Sequence, residues 1–526
     1  MAGVSDSAGE KISAVLPQDD RKWYQRPNLR KLNFLIMNFI LYAAAIGYDS
    51  ALTNAVQALP QWQEFMDNPT GTWLGFINAC PFIGTCAIIF FVPYFCDRFG
   101  RKIVIFATSF LIWVGAIVAA SAKNHVSYIM GRVMIGFSFA CNYAASLYIN
   151  EMAYPTTRGK FSAAYHSMFF FGSLMVAWIV FGTRSLPNRN SWRIPLALQA
   201  FLPTALMPSL IMSPESPRWL ASRGRISEAR EILLKYHANY EEEYVPLVDL
   251  EMAEIVAAIE AQKANNAVTW KSLVATPGNR RRMFIGCFTT LCNAWCGLGI
   301  VSSYLSTVLK SVGITSVLQQ TLINGFLQLW NWLCAITGVL LVDKLGRRTL
   351  FLISMIGLFI FYIPLTAITA VYQEQGKNIG QAIIVFIFLC YGFNDIAFTP
   401  LVTSYPAELW PQATRSKGMF SAMFVLNAAT FFNIFVNSIA LNALHWKYYC
   451  VYLGVQVVMI IVIYFTFPET KGHSLEEIAL IFDKDEITQN TLGGIQVIKP
   501  SGENGKIAAV VSVTEVPASS ENISLV

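Results

Sequence analysis

Runs of about 20 apolar residues recur along this chain, each long enough to cross a hydrocarbon layer about 30 Å thick. Lipid offers the backbone no hydrogen-bond partners, so such runs must be helices that satisfy their own amides. Twelve are predicted, near 33–54, 73–94, 103–121, 127–149, 161–182, 193–212, 283–308, 318–342, 349–371, 379–402, 416–441 and 447–467. Composition agrees: 55% of residues are hydrophobic and 13% charged, where soluble domains carry about 25% charge. The expected fold is an all-α membrane protein.

The basic residues orient it. Arg21, Lys22, Arg26, Arg30 and Lys31 precede the first run, and residues 32–97 hold no Lys or Arg. Cytoplasmic loops carry the Lys and Arg excess, so both termini are expected in the cytoplasm. The formal charge of +6 then marks inside loops and requires no nucleic-acid partner. Residues 1–30 are polar, so no signal peptide is expected and the first helix inserts the chain. The expected division is a disordered N-terminus at 1–32, a six-helix bundle at 33–212 and a cytoplasmic helical linker at 213–282. A second six-helix bundle follows at 283–467, then a tail at 468–526 with a short helix near 474–484 before disorder. Within the linker, Arg223-Gly224-Arg225 breaks the chain ahead of amphipathic helices at 226–237 and 246–263.

The halves repeat. Asp97-Arg98-Phe99-Gly100-Arg101-Lys102 returns as Asp343-Lys344-Leu345-Gly346-Arg347-Arg348. Glu151 precedes Arg158 by the same interval that separates Glu408 from Arg415. Each glycine permits a tight turn, and the charges beside it can pair with an acid or a helix terminus. Glu151 and Arg158 are the expected partners of the first patch, and Glu408 and Arg415 of the second. Such a network holds neighbouring helices together in one state and can release them in another.

These marks, with Gly131-Arg132, Pro214-Glu215-Ser216-Pro217-Arg218-Trp219-Leu220 and Pro468-Glu469-Thr470-Lys471-Gly472, resemble the sugar porter family of the major facilitator superfamily over roughly 33–485. The text around Gly47-Tyr48-Asp49 and Leu59-Pro60-Gln61-Trp62 is similar to the fungal lactose-permease-like branch. The resemblance implies two pseudo-symmetric six-helix bundles around a central site reached alternately from each side. Glu215, Arg218 and Glu469 of the two signatures join the expected gating network.

Asp49 is the most informative residue. It lies inside the first apolar run, where a bare carboxylate costs about 2.5–3.5 kcal/mol or more. Arg132 is the other charge deep in that half. The resemblance implies that Asp49 and Arg132 couple transport to a proton, protonation of Asp49 freeing it from Arg132. Neutral, hydroxyl-rich cargo needs amides that both donate and accept, plus aromatic faces. Register with the family places His166 where the fifth span usually has Gln and Asn331 where the eighth has Asn. Asn293-Ala294 replaces a Gln pair, Gly299 a later Asn and Thr403 a Trp. Asn394 and Asp395 lie higher on the tenth span, and Asn427 is one residue from the usual eleventh-span Asn. His166, Asn293, Asn331, Asn394 and Asn427 are the candidate ligands. Asp395 is either a second titrating group or a structural partner for a helix end.

The expected activity is import of a sugar, disaccharide or hexose-like, with a proton. A polyol or other metabolite, a facilitator and a nutrient sensor remain open. Expected partners are the solute, the proton and the bilayer, with a monomeric chain. No nucleophile–base or metal cluster points to an enzyme. No Gly-x-x-x-x-Gly-Lys loop points to an ATP-driven pump, and no cofactor is implied beyond the proton.

Overall fold

The structure, a computed structural model, describes residues 21, 23–264, 270–375, 380–411, 414–471, 478 and 481–482. The predicted tail helix falls almost wholly outside them, as do the predicted disordered ends at 1–20 and 485–526. Among the described residues there are helices and no strands. The long ones are α1 Pro27–Val56, α2 Gly71–Ile88, α3 Arg101–Ala120, α4 His125–Ala140, α5 Asn142–Met152, α6 Arg158–Thr183 and α7 Asn190–Met212 in the first half. The second half has α8 Pro277–Lys310, α9 Val317–Leu345, α10 Arg347–Gln375, α11 Ile383–Leu409, α12 Arg415–Leu444 and α13 Lys447–Thr466.

Among the described residues eleven helices are long and apolar enough to cross a membrane. The predicted fourth span, 127–149, is instead two shorter helices, α4 and α5, joined at Cys141 with φ −87° and ψ 1°. α1 starts at Pro27 rather than near 33 because its entry is tied down. Pro27 opens the helix, where a missing N–H costs nothing. Arg26 donates from Nη2 to the His237 carbonyl at 2.6 Å and lies 3.9 Å from the Tyr244 ring centre. Between the halves, Gly224 has φ +79° between Pro217–Ser222 and Ile226–Tyr236, and a further helix runs at Val245–Ala264.

The buried apolar side chains form two clusters. One draws on residues 29–259 with Tyr304 and Ile434; the other draws on residues 285–482. Each half therefore has its own core, and a cavity lies between them.

Candidate functional site

A cavity of about 1330 Å³ separates the halves. Its walls include Asp49, Arg132, His166, Asn293, Asn331, Asn394 and Asn427, so every side chain selected for cargo or proton meets in one space. It extends to the helix ends that carry Asp97, Glu151, Arg218 and Arg415.

At the opposite end the halves touch, and a local break in α8 makes the joint. Tyr304 leaves helical geometry at φ −136°, ψ 30°. The Ser303 carbonyl then accepts from Gln57 Nε2 at 3.0 Å and Asn78 Nδ2 at 3.3 Å. The Leu305 N–H donates to Asn54 Oδ1 at 3.0 Å. Backbone groups released from the helix ladder are thus satisfied by side chains of α1 and α2, as buried amides must be.

Asp49 and Arg132 form the predicted pair. Both are buried, and Arg132 Nη1 donates to Asp49 Oδ1. Gln199, at the break within α7, donates from Nε2 to the same oxygen at 2.8 Å. Asp49 Oδ2 has no partner although it is buried. A carboxylate in apolar surroundings is tolerable only when paired and hydrogen-bonded; here one oxygen is doubly engaged and the other is not. Gln199 was not foreseen, because a polar residue amid the apolar text of α7 shows no partner until the helices pack.

The amides divide into two kinds. Asn331 and Asn394 are buried with Oδ1 unpartnered, and Asn394 Nδ2 donates to Asp395 Oδ1 at 3.2 Å. Asn427 spends its Nδ2 on the Met423 carbonyl at 2.8 Å. Asn433 also lines the cavity and was missed. It donates to the Tyr452 hydroxyl at 2.7 Å and accepts from Asn437 at 2.8 Å. A Cβ at Gly299 would lie 2.2 Å from Asn433 Oδ1. The missing amide on α8 is therefore the space that an amide on α12 fills.

The two repeated patches form matching clasps. Gly100 has φ +94° and ψ 163°, and Gly346 has φ +90° and ψ 164°, a region essentially reserved for glycine. Each opens a helix whose first N–H groups lack partners, and a carboxylate caps them. Glu215 accepts from the Arg101 and Lys102 amides at 3.1 and 3.2 Å. Glu469 accepts from the Arg347 and Arg348 amides at 2.8 and 3.0 Å. The adjacent hydroxyl ties in the second acid: Ser216 Oγ to Glu151 at 2.5 Å, Thr470 Oγ1 to Glu408 at 2.6 Å. Arg101 Nε lies 3.1 Å from Glu151, and Arg347 Nη2 donates to Glu408 at 3.1 Å. The mirror positions differ electrostatically. Burial pushes the Glu215 carboxyl up, outweighing the amides and Arg101. Glu469 is pulled below the ordinary carboxylate range: burial opposes the shift, but the amides of Arg347, Lys471, Arg348 and Thr349 outweigh it.

Other expected members stand elsewhere. Arg158, the first residue of α6, reaches the linker, with Nη2 4.0 Å from Glu251. Arg415 gives its Nε to the Trp410 carbonyl at 3.3 Å rather than to an acid. Asp97 lies 3.7 Å from Arg101. The Arg98 side chain is exposed, and only its carbonyl is used, by Arg223 at 3.0 Å. Arg218 lines the cavity mouth. The Asp343 side chain lies outside the described ones.

Residues 35–482 match the family model for "Sugar (and other) transporter". The chain belongs to that family. Relatives include the MFS-type transporter oryC of Aspergillus oryzae, 28% identical over 74% of each chain. Hexose transporter HXT13 of Saccharomyces cerevisiae is 27% identical over 74% of this chain and 70% of its own. "Probable polyol transporter 6" of Arabidopsis thaliana is 26% identical over 84% and 92%. Among solved structures, the proton:xylose symporter XylE bound to 6-bromo-6-deoxy-D-glucose aligns with TM-score 0.70 at 21% identity, covering 86% of this chain and all of that one. The inward open conformation of the xylose transporter XylE from E. coli gives TM-score 0.70 at 20% identity over the same shares. The fold is that of the major facilitator superfamily, and the family and its neighbours are transporters, not enzymes.

Proposed function

We propose that this family member imports a sugar or sugar-like solute together with a proton, by alternating access, across the plasma membrane. The observation that carries the reading is the buried Asp49–Arg132–Gln199 group in the wall of the same cavity as the candidate cargo amides. Protonation of Asp49 removes its hold on Arg132 and lets the first half respond to the proton gradient. One pH unit with 100 mV supplies about 3.7 kcal/mol per proton, enough to accumulate a neutral solute about five-hundred-fold. Asn293-Ala294 and Thr403 stand where the family has a Gln pair and a Trp, and these departures permit a disaccharide, a polyol or a different metabolite. The similarity around Gly47-Tyr48-Asp49 supports the fungal lactose-permease-like branch. With α4 and α5 read as one broken span, the chain has twelve spans, both termini in the cytoplasm and the domain division given by the loops; it works as a monomer without a cofactor.

The test is uptake in transporter-null cells with a panel of hexoses, pentoses, disaccharides and polyols, read with external pH. One solute should enter with simultaneous alkalinisation. Asp49→Asn should abolish accumulation yet preserve exchange of the same solute. Undiminished uphill uptake by that variant sinks proton coupling, and silence across the panel sinks the cargo class.

A further inference from the structure

A second carboxylate faces the cavity in a setting opposite to that of Asp49. Asp395 lies midway along α11, is 4% exposed and lines the cavity. It accepts one hydrogen bond, from Asn394 Nδ2 at 3.2 Å, and its Oδ2 has no partner. The titratable groups within its electrostatic reach are the Tyr391 phenol on its own helix, the Cys296 thiol on α8 and the Cys334 thiol on α9. α6 also packs against α11 and brings His166 to the same cavity. Among the described residues no Lys, Arg or His ion-pairs with Asp395. Asn331 Oδ1 and Asn394 Oδ1, of residues that line the same cavity, are likewise buried without donors. Three buried oxygens on this wall, Asp395 Oδ2 and the two amide oxygens, thus lack a donor.

A bare carboxylate at membrane depth costs about 2.5–3.5 kcal/mol or more, and a buried charge without a partner neutralises instead. Taking up a proton removes that cost and adds an O–H donor beside oxygens that lack one. We propose that Asp395 is a second proton site, in the second half, held as the neutral acid in the empty cavity. The proton comes from water through the open end and forms an O–H bond on Oδ2. From there it donates to a hydroxyl or ring oxygen of the cargo, between Asn331 and Asn394. The cargo role rests on the function proposed above; the proton site does not.

Infrared difference spectra of the purified full-length chain, titrated between about pH 5 and about pH 9 with protons as the only added ligand, test it without a known cargo. The wild type should show the carbonyl stretch of a protonated carboxyl near neutral pH, shifted in heavy water. Asp395→Asn should lose that band, and Asp49→Asn should keep it. Asn is nearly isosteric with the protonated acid, so Asp395→Asn should also keep the wild-type melting temperature. If that variant fails to fold, Asp395→Glu should move the band rather than remove it. A band unchanged in Asp395→Asn or unmoved in Asp395→Glu, or no such band in the wild type, overturns the proposal. Absence of solute uptake would instead remove the cargo role and leave the infrared result standing.

Discussion

The clasp can be weighed at Gly346. Replacing it with alanine puts a Cβ 2.7 Å from Glu469 Oε2 and 2.9 Å from its carboxyl carbon. Two costs follow. The backbone at φ +90°, ψ 164° strains any side chain by about 1–3 kcal/mol. The carboxylate must also retreat from the Arg347 and Arg348 amides. Hydrogen bonds to charged groups are worth about 1.5–3 kcal/mol each, so losing one adds about 2 kcal/mol and losing both about twice that. Gly224 is the control. Its φ is +79°, but nothing lies within 4 Å of its Cβ position, so Gly224→Ala carries strain alone. Melting followed by intrinsic fluorescence in detergent should place Gly346→Ala several degrees below Gly224→Ala, at about 2–4 °C per kcal/mol or somewhat less for so long a chain. Hydrogen exchange should quicken at the Arg347 and Arg348 amides in the first variant alone. Equal melting shifts with unchanged exchange would refute the carboxylate cap.

Two further outcomes are expected. Glu469 is depressed below the ordinary range, so its contribution is present above about pH 4.3 and lost as pH falls through its folded value. Glu215 is raised, so its contribution is complete below about pH 4.3 and lost as pH rises through its folded value. Near neutral pH, Glu469→Gln should therefore lower the melting temperature more than Glu215→Gln; a pH series showing equal losses would reject the asymmetry. At the cavity, Gly299→Ala should drive Asn433 from its place and reduce uptake at least tenfold, because the 2.2 Å approach leaves no accommodation. Asn433→Ala should relieve the clash in the double variant, and a double variant no better than Gly299→Ala alone would contradict this arrangement.

The legible part of this molecule is what lipid and charge dictate. Long apolar runs located nearly every span, and a carboxylate within one of them forced a search that ended correctly at Arg132. The illegible part depends on packing. Gln199 becomes informative only when the break in α7 meets α1. Asn433 matters because Gly299, on a different helix, makes room. The roles of Glu215 and Glu469 were hidden because a helix cap is normally sought just before the helix. Here the capping acids come 114 and 122 residues after the first amides they accept, at a matching place in each half.

The clasps also bear on how the transporter moves. Each joins elements of one half only: the turn before α3 or α10, the acid near the end of α5 or α11, and the signature after α7 or α13. Both are fully formed here, although the cavity reaches the end of the molecule where they sit. Formed clasps and a cavity that reaches them therefore coexist in this structure. What they secure is the rigidity of each half, the condition for one bundle to rock against the other. The two arginines outside the clasps fit a different task. Arg158 is exposed and only 4.0 Å from Glu251 in the linker, and Arg415 lines the cavity with Nη2 unpartnered. Each can change partners without dismantling a half, so the charges that distinguish one state from another are to be sought there rather than in the clasps.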